Sequence, residues 1–209
     1  MELTILEETL LLDATGALYW PQKKALLLAD THLGKVTHFR KHGFAVPRAP
    51  IFDFYQKMEG LKRKYDFNHL YFLGDLFHSS LNREWSNFQE WSQSQAYAMT
   101  LVSGNHDILP SSAYEKTPLE VVETLQVGSF VLTHHPEEEH HFNICGHVHP
   151  GILLKGKGRQ RLKVSCFFHR PHQLILPAFG AFTGLHFLEL GPQDKVYVLG
   201  DQEVYPHPH

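Results

Sequence analysis

Thiols are few in this chain, and membrane-length apolar runs and a surplus of positive charge are missing. Only two cysteines, Cys145 and Cys166, occur in 209 residues. That count excludes a disulfide-stapled scaffold and a thiolate-rich metal cluster, and fits buried core thiols in a reducing compartment. No stretch approaches the roughly 20 apolar residues that span a bilayer. Met1, Glu2, Leu3 and Thr4 also lack the basic start of a secretory leader, so a cytoplasmic protein with no membrane partner is expected. A formal net charge of −3 argues against bulk electrostatic binding of nucleic acid, which comes from many Lys and Arg neutralising phosphates. Repeats, low-complexity tracts and linkers are lacking too. With 43% hydrophobic residues, one domain over residues 1–209 is expected.

Histidine is abundant, with 17 residues, and it serves both as a metal ligand and as a physiological acid or base. Its placement follows the strands. Residues 25–29, 70–73 and 99–102 are apolar on both faces, as strands covered on both sides must be. Each run stops at polar residues: Asp30, Gly74-Asp75 and Ser103-Gly104-Asn105. Between them, residues 51–65 and 83–97 have helical length, with Phe52, Tyr55, Met58 and Leu61 on one side of the first. This alternation predicts parallel crossovers with a crevice at the carboxyl ends of the strands. Residues 3–12 and 17–20 read as a hairpin around a glycine-containing turn. The second half reads as strands over 120–127, 129–133, 142–145, 162–168, 173–176 and 195–199. The expected class is α/β: two packed, mostly mixed sheets flanked by helices in a four-layer sandwich, with the site at the strand ends.

Five motifs fall at those ends: Asp30-Thr31-His32, Gly74-Asp75, Gly104-Asn105-His106-Asp107, Thr133-His134-His135-Pro136 and Gly146-His147-Val148-His149. Singly each has a plain structural reading. Asp at a strand end can cap a loop, Gly-Asn-His-Asp can be an Asx turn, and paired histidines can sit on an exposed edge. Jointly they supply imidazoles, carboxylates and an amide, the donor set suited to a pair of first-row divalent ions. Such a pair clamps the attacking and leaving oxygens of a phosphoryl displacement.

In this order the motifs resemble the calcineurin-like metallophosphoesterase superfamily. The resemblance implies that Asp30, His32 and His149 hold one ion, that Asn105, His134 and His147 hold the second, and that Asp75 bridges them. His134 is preferred to His135 because it directly follows the apolar strand. His106 would protonate the leaving oxygen, with Asp107 orienting its ring, and a hydroxide between the ions would attack phosphorus. Two divalent ions are the implied cofactors. Manganese is favoured, and iron, nickel or zinc also suit the donors.

A narrower likeness rests on His32-Leu33-Gly34-Lys35, Phe39-Arg40, Gly43 and Val46-Pro47, on Gly74-Asp75-Leu76-Phe77-His78, on Cys166-Phe167, and on Leu176-Pro177-Ala178-Phe179-Gly180 with Phe182-Thr183-Gly184. These are similar to the bacterial ligase-associated DNA-damage-response phosphoesterases, with Thr31 and Leu185 as departures. The likeness implies a phosphodiesterase or nuclease acting on a phosphate ester, DNA among them, in association with DNA-ligase and helicase repair proteins. Two basic clusters adjoin the motifs: Lys35, Arg40, Lys41 and Arg48, then Lys155, Lys157, Arg159, Arg161 and Lys163. Arg40 is the best candidate for a substrate phosphate, because a guanidinium matches its geometry. Glu137, Glu138 and Glu139 would oppose a polyanion on the same rim. His78, His140 and His141 read as rim or surface residues, and Phe179 and Phe182 as core. The competing functions are a small-molecule phosphoesterase acting on nucleotides and a non-catalytic protein-binding scaffold. A complete ligand set and an intact His106 count against the scaffold.

Overall fold

The computed structural model describes residues 1–37, 43, 50–78, 81–137, 141–156, 158–181 and 183–208, without the side chains of residues 50 and 51. Two β-sheets pack face to face. The first runs in chain order from β1 (Glu2–Ile5) through β2 (Glu8–Leu12), β3 (Leu18–Trp20), β4 (Ala25–Leu28), β5 (His69–Leu73) and β6 (Ala98–Val102) to β7 (Leu119–Val122). It is antiparallel up to β4 and parallel from β4 to β7. The crossovers carry helices α1 (Pro50–Lys64), α2 (Arg83–Gln93) and the short α3 (Ser111–Tyr114).

The second sheet contains β8 (Leu125–Val127), β9 (Phe130–Leu132), β10 (Phe142–Cys145), β11 (Pro150–Lys155), β12 (Arg161–Arg170), β13 (Gln173–Ile175) and β14 (His186–Phe187). Their order is β14-β11-β12-β13-β10-β9-β8, and β15 (Lys195–Leu199) pairs with β12 and with β16 (Val204–His207).

Period-two alternation explains the layers. In β4, Leu27 faces the second sheet and meets Phe130, Leu132, Ile144, Phe167 and Leu174 in the inter-sheet core. Leu26 and Leu28 turn outward to Phe54, Met58, Leu61, Trp85 and Phe88 of the helices. Each large side chain buried here contributes about 1.5–3 kcal/mol. Trp20 is fully buried, and its indole N–H donates to Glu8 Oε2 at 2.7 Å, so its one polar group is matched.

The α/β class and the two packed mixed sheets are as expected. Helices, however, pack only on the first sheet among the described residues. On the outer face of the second sheet Cys145, Cys166, Phe168 and Val196 form a cluster, with Val148, Leu154, Val164 and Leu188 packed against it. Both cysteines are free and buried, as expected.

Other details differ from expectation. Residues 120–127 are two strands: β7 ends the first sheet, and β8 begins the edge of the second after the chain crosses at Glu123 and Thr124. No glycine or proline marks that crossing. Residues 3–12 likewise break into β1 and β2 at Leu6 and Glu7, whose φ values of 49° and 65° make a tight turn without glycine. In α1 the buried stripe is Phe54, Met58 and Leu61, whereas Phe52 is 58% exposed. Phe54 also stacks edge-on against Trp91 and Phe179, contacts that helical spacing alone does not reveal.

Candidate metal centre

Loops following β4, β5 and β6 of the first sheet meet loops following β9 and β10 of the second, all at carboxyl ends of strands. The backbone is knitted beneath them. Asp30 N–H donates to Gly74 O at 3.2 Å and His32 N–H to Asp75 O at 2.9 Å. The Thr31 hydroxyl donates to Leu76 O at 2.9 Å, which gives a use for the departure seen at that position. From below, Ala178 bridges Ala29, and the amides of Phe179 and Gly180 donate to the carbonyls of Ala29 and Asp30. That is the structural work of the Leu176-Pro177-Ala178-Phe179-Gly180 run, and Phe179 is core as expected.

Two clusters of donor atoms result. In the first, His149 Nε2 lies 3.3 Å from Asp30 Oδ1 and 3.4 Å from His32 Nε2, and His32 Nε2 lies 3.7 Å from Asp75 Oδ2. In the second, His134 Nε2 lies 3.0 Å from Asn105 Oδ1, 3.1 Å from His147 Nδ1 and 3.5 Å from Asp75 Oδ1. Asp75 faces each cluster with one oxygen. Bonds of about 2.1 Å to a common ion put neighbouring ligand atoms roughly 3.0–3.5 Å apart, so both clusters have the right span.

Chemistry also fits an ion. Asp30 is fully buried, and its Oδ1 accepts no hydrogen bond among the described residues. A bare carboxylate oxygen in that setting is costly without a cation. Burial, then Lys35 and the rings of His149, His78 and His106, push the His32 pKa down to about 2. Burial and the His135 and His134 rings lower that of His147. Both shifts favour the neutral imidazole, the state a metal ligand requires. His134 Nδ1 donates to Leu73 O at 3.0 Å, which fixes its tautomer and leaves Nε2 for coordination.

Backbone strain marks the same residues. Among the described residues eight non-glycine positions have positive φ, and five of them are Asp30, His32, Asp75, His147 and His149, at 45° to 66°. Left-handed backbone costs about 1–2 kcal/mol per L-residue and gathers at functional sites. Gly74, at φ +79°, completes the turn because any Cβ there would overlap the His134 ring.

His106 borders the first cluster. Its amide donates to Asp75 Oδ1 at 2.9 Å, and its ring lies 4.3 Å from that of His78 and 5.7 Å from that of His32. Asp107, expected to orient that ring, accepts hydrogen bonds from backbone amides. Its Oδ1 accepts from the amides of Leu76 and Phe77, and its Oδ2 from Gly104 N–H at 2.8 Å. Those bonds fasten the Asp75 turn to the Asn105 turn. Burial raises its pKa to about 6 despite those bonds.

His135 is exposed, with its ring 4.1 Å from that of His147, and its nitrogens lie within ligand range of His134 and His147. Arg40, Lys41, Arg48, Glu138, Glu139, His140, Lys157 and Phe182 lie outside the described residues. Reading the residues missed Glu84. Buried at the start of α2, it accepts from the amides of Gly34 and Thr37 and so braces the turn after His32. A lone Glu opening a helix carries no signal of that contact.

Two carboxyl-end clusters with a shared aspartate, built across a two-sheet sandwich, are candidate sites for divalent ions. The family model for calcineurin-like phosphoesterases matches residues 23–205. The chain belongs to that family and is a metal-dependent phosphate ester hydrolase. Among solved structures it is similar to the Pseudomonas putida nuclease MPE, with 27% sequence identity, a TM-score of 0.80 and 99% of each chain covered. No curated protein matches it. No helix among the described residues is long and apolar enough to cross a membrane.

Proposed function

We propose that this protein is a binuclear phosphodiesterase that cleaves nucleic acid, a nuclease working in the cytoplasm with DNA-ligase and helicase repair proteins. The observation that carries the reading is the pair of donor clusters sharing Asp75, with the His106 ring at their edge. Likeness over 99% of both chains to a protein described as a nuclease supports the polymeric substrate.

Asp30, His32 and His149 would hold one divalent ion and Asn105, His134 and His147 a second, with Asp75 serving both. Such ions, manganese in our reading, would when bound lower the pKa of a water and place positive charge at the phosphate. The chain supplies the rest. Leu73 O keeps the His134 ring in its coordinating tautomer. Asp107 holds the two turns that carry Asp75 and Asn105 at a fixed spacing. His106, tied through its amide to Asp75, presents its imidazole to the leaving oxygen and gives up the proton that oxygen needs.

The test is hydrolysis of a bis-aryl phosphodiester beside an aryl phosphomonoester by metal-stripped protein reconstituted with manganese. Diester cleavage is expected, together with its loss in Asp75→Asn. Cleavage of the monoester alone would make the protein a phosphatase and overturn the reading.

A further inference from the structure

The net charge of −3 conceals a segregated segment. Residues 140–188 contain no Asp or Glu but six of the chain's 19 Lys and Arg, so the segment carries +6 and the rest −9. The structure shows where part of that charge is displayed.

Strand β11 leaves directly from His149, and β14 lies parallel beside its start, with His186 N–H donating to His149 O at 3.0 Å. In the β11–β12 hairpin Gly151 opposes Ser165, Leu153 opposes Lys163 and Lys155 opposes Arg161, while Phe187 of β14 pairs with Gly151. Partners in register, and residues two apart along a strand, point to one side of a sheet. Phe187, Lys163, Arg161 and Lys155 therefore share a face. Ile152, Leu154 and Val164 take the other side and pack against Cys166 and Phe168.

The shared face is the one that forms the inter-sheet core farther along β12, through Phe167. At the hairpin it runs past the sandwich into solvent, where Lys155, Arg161 and Lys163 are exposed. Phe187 is 43% exposed, and the Lys163 ammonium lies 5.6 Å from its ring centre. An exposed phenyl ring one strand from a ligand residue, followed outward by three cations, combines the two elements that hold an unpaired strand: an aromatic platform for a base and positive charge for the backbone. Six residues of strand from His149 give the face a reach of about 20 Å.

We infer that Phe187 with the Lys155, Arg161 and Lys163 face of the β11–β12 hairpin is a binding track for a single-stranded polynucleotide leading away from the metal centre. The strand's cleavage rests on the phosphodiesterase reading above; its binding does not.

Two measurements keep these separate. The first is fluorescence anisotropy of a labelled single strand of about 12 nucleotides, within the size such grooves hold, using manganese-loaded protein slowed by His106→Asn. Phe187→Ala should weaken binding about five- to 150-fold, the value of one base stack, and Phe187→Trp should preserve it. Replacing Lys155, Arg161 and Lys163 together by Ala should flatten the dependence of log affinity on log salt by about 2, near 0.7 for each phosphate no longer neutralised. The second is the ratio of oligonucleotide to bis-aryl phosphodiester turnover with His106 intact, which should fall in both variants.

Unchanged binding in both variants would overturn the track. So would equal weakening by Phe187→Ala and Phe187→Trp, or tighter binding of a duplex of the same length. Track-dependent binding by a protein that cleaves no diester would leave the track standing and remove the phosphodiesterase reading instead.

Discussion

Replacing Gly74 by alanine tests the proposed second ion site through its backbone, without touching a ligand. Gly74 sits at φ +79°, and an added Cβ would overlap the His134 ring at Nδ1 and Cγ and come within 2.7 Å of its Cβ. Left-handed backbone alone costs an alanine about 1–2 kcal/mol. The ring is held by the bond from Nδ1 to Leu73 O, so moving it forfeits a further ~0.5–1.5 kcal/mol. A loss of about 1.5–3.5 kcal/mol follows, which for a chain of this length lowers Tm by roughly 3–14 °C. The ring cannot retreat without carrying Nε2 away from Asn105 and His147. A displacement of about 1 Å at a reacting centre costs about 10²-fold in rate. Gly74→Ala should therefore fold with a lower Tm, bind one ion firmly and the second weakly, and turn over a phosphodiester about 10²-fold more slowly. Elemental analysis after gel filtration, a thermal melt and bis-aryl phosphodiester hydrolysis read the three effects. A folded Gly74→Ala protein with two ions and wild-type turnover would falsify the assignment of His134.

Other consequences are as direct. His106→Asn removes the proton donor but keeps the amide on Asp75, so metal content should stay at two while turnover drops about 10²–10⁴-fold. Unchanged turnover would assign the acid elsewhere. Far from the site, burial works to raise the pKa of Asp13, but Lys64, the amide and hydroxyl of Thr15 and the Tyr65 hydroxyl together leave it below its ordinary value. A carboxylate lowered on folding adds stability above its unfolded pKa of about 3.9 and loses it as pH falls through the folded value. Asp13→Asn should thus cost about 1–3 kcal/mol in urea unfolding at neutral pH, and the gap should close in acid. A gap that is constant with pH would show that the ion pair contributes nothing.

Much of the site could be read from residues because each ligand motif ends an apolar strand. Ala25 to Leu28 is apolar on both faces and Asp30 is not, and the contrast places a polar group at the carboxyl end of a buried strand. The pairing of donors is a different matter. Asp30 and His149 lie far apart in sequence, and only the meeting of two sheets brings Oδ1 within 3.3 Å of Nε2. Asp107 shows the other limit. Its neighbour His106 suggested a partnership, but three backbone amides compete for the carboxylate, and backbone positions leave no trace in residue identity. For the same reason Leu73 O and Glu84 stayed invisible. The crossing at residues 123–124 and the turn at Leu6 and Glu7 were hidden because neither uses glycine or proline. Only the pairing of β14 with β11 places Phe187 beside the strand that follows His149.

Each donor cluster draws on both sheets. Asp30, His32, Asp75 and Asn105 follow strands of the first, and His134, His147 and His149 follow strands of the second. Any slide or tilt between the sheets is therefore also a change in the spacing of the donor atoms within each cluster. Leu27, Phe130 and Ile144 belong to the core between the sheets, so a methyl group trimmed there bears on the donor spacing as well as on stability. Selection for a reaction at the rim would in this way reach the middle of the core, and residues that never approach a phosphate would answer for the rate at which it is cleaved.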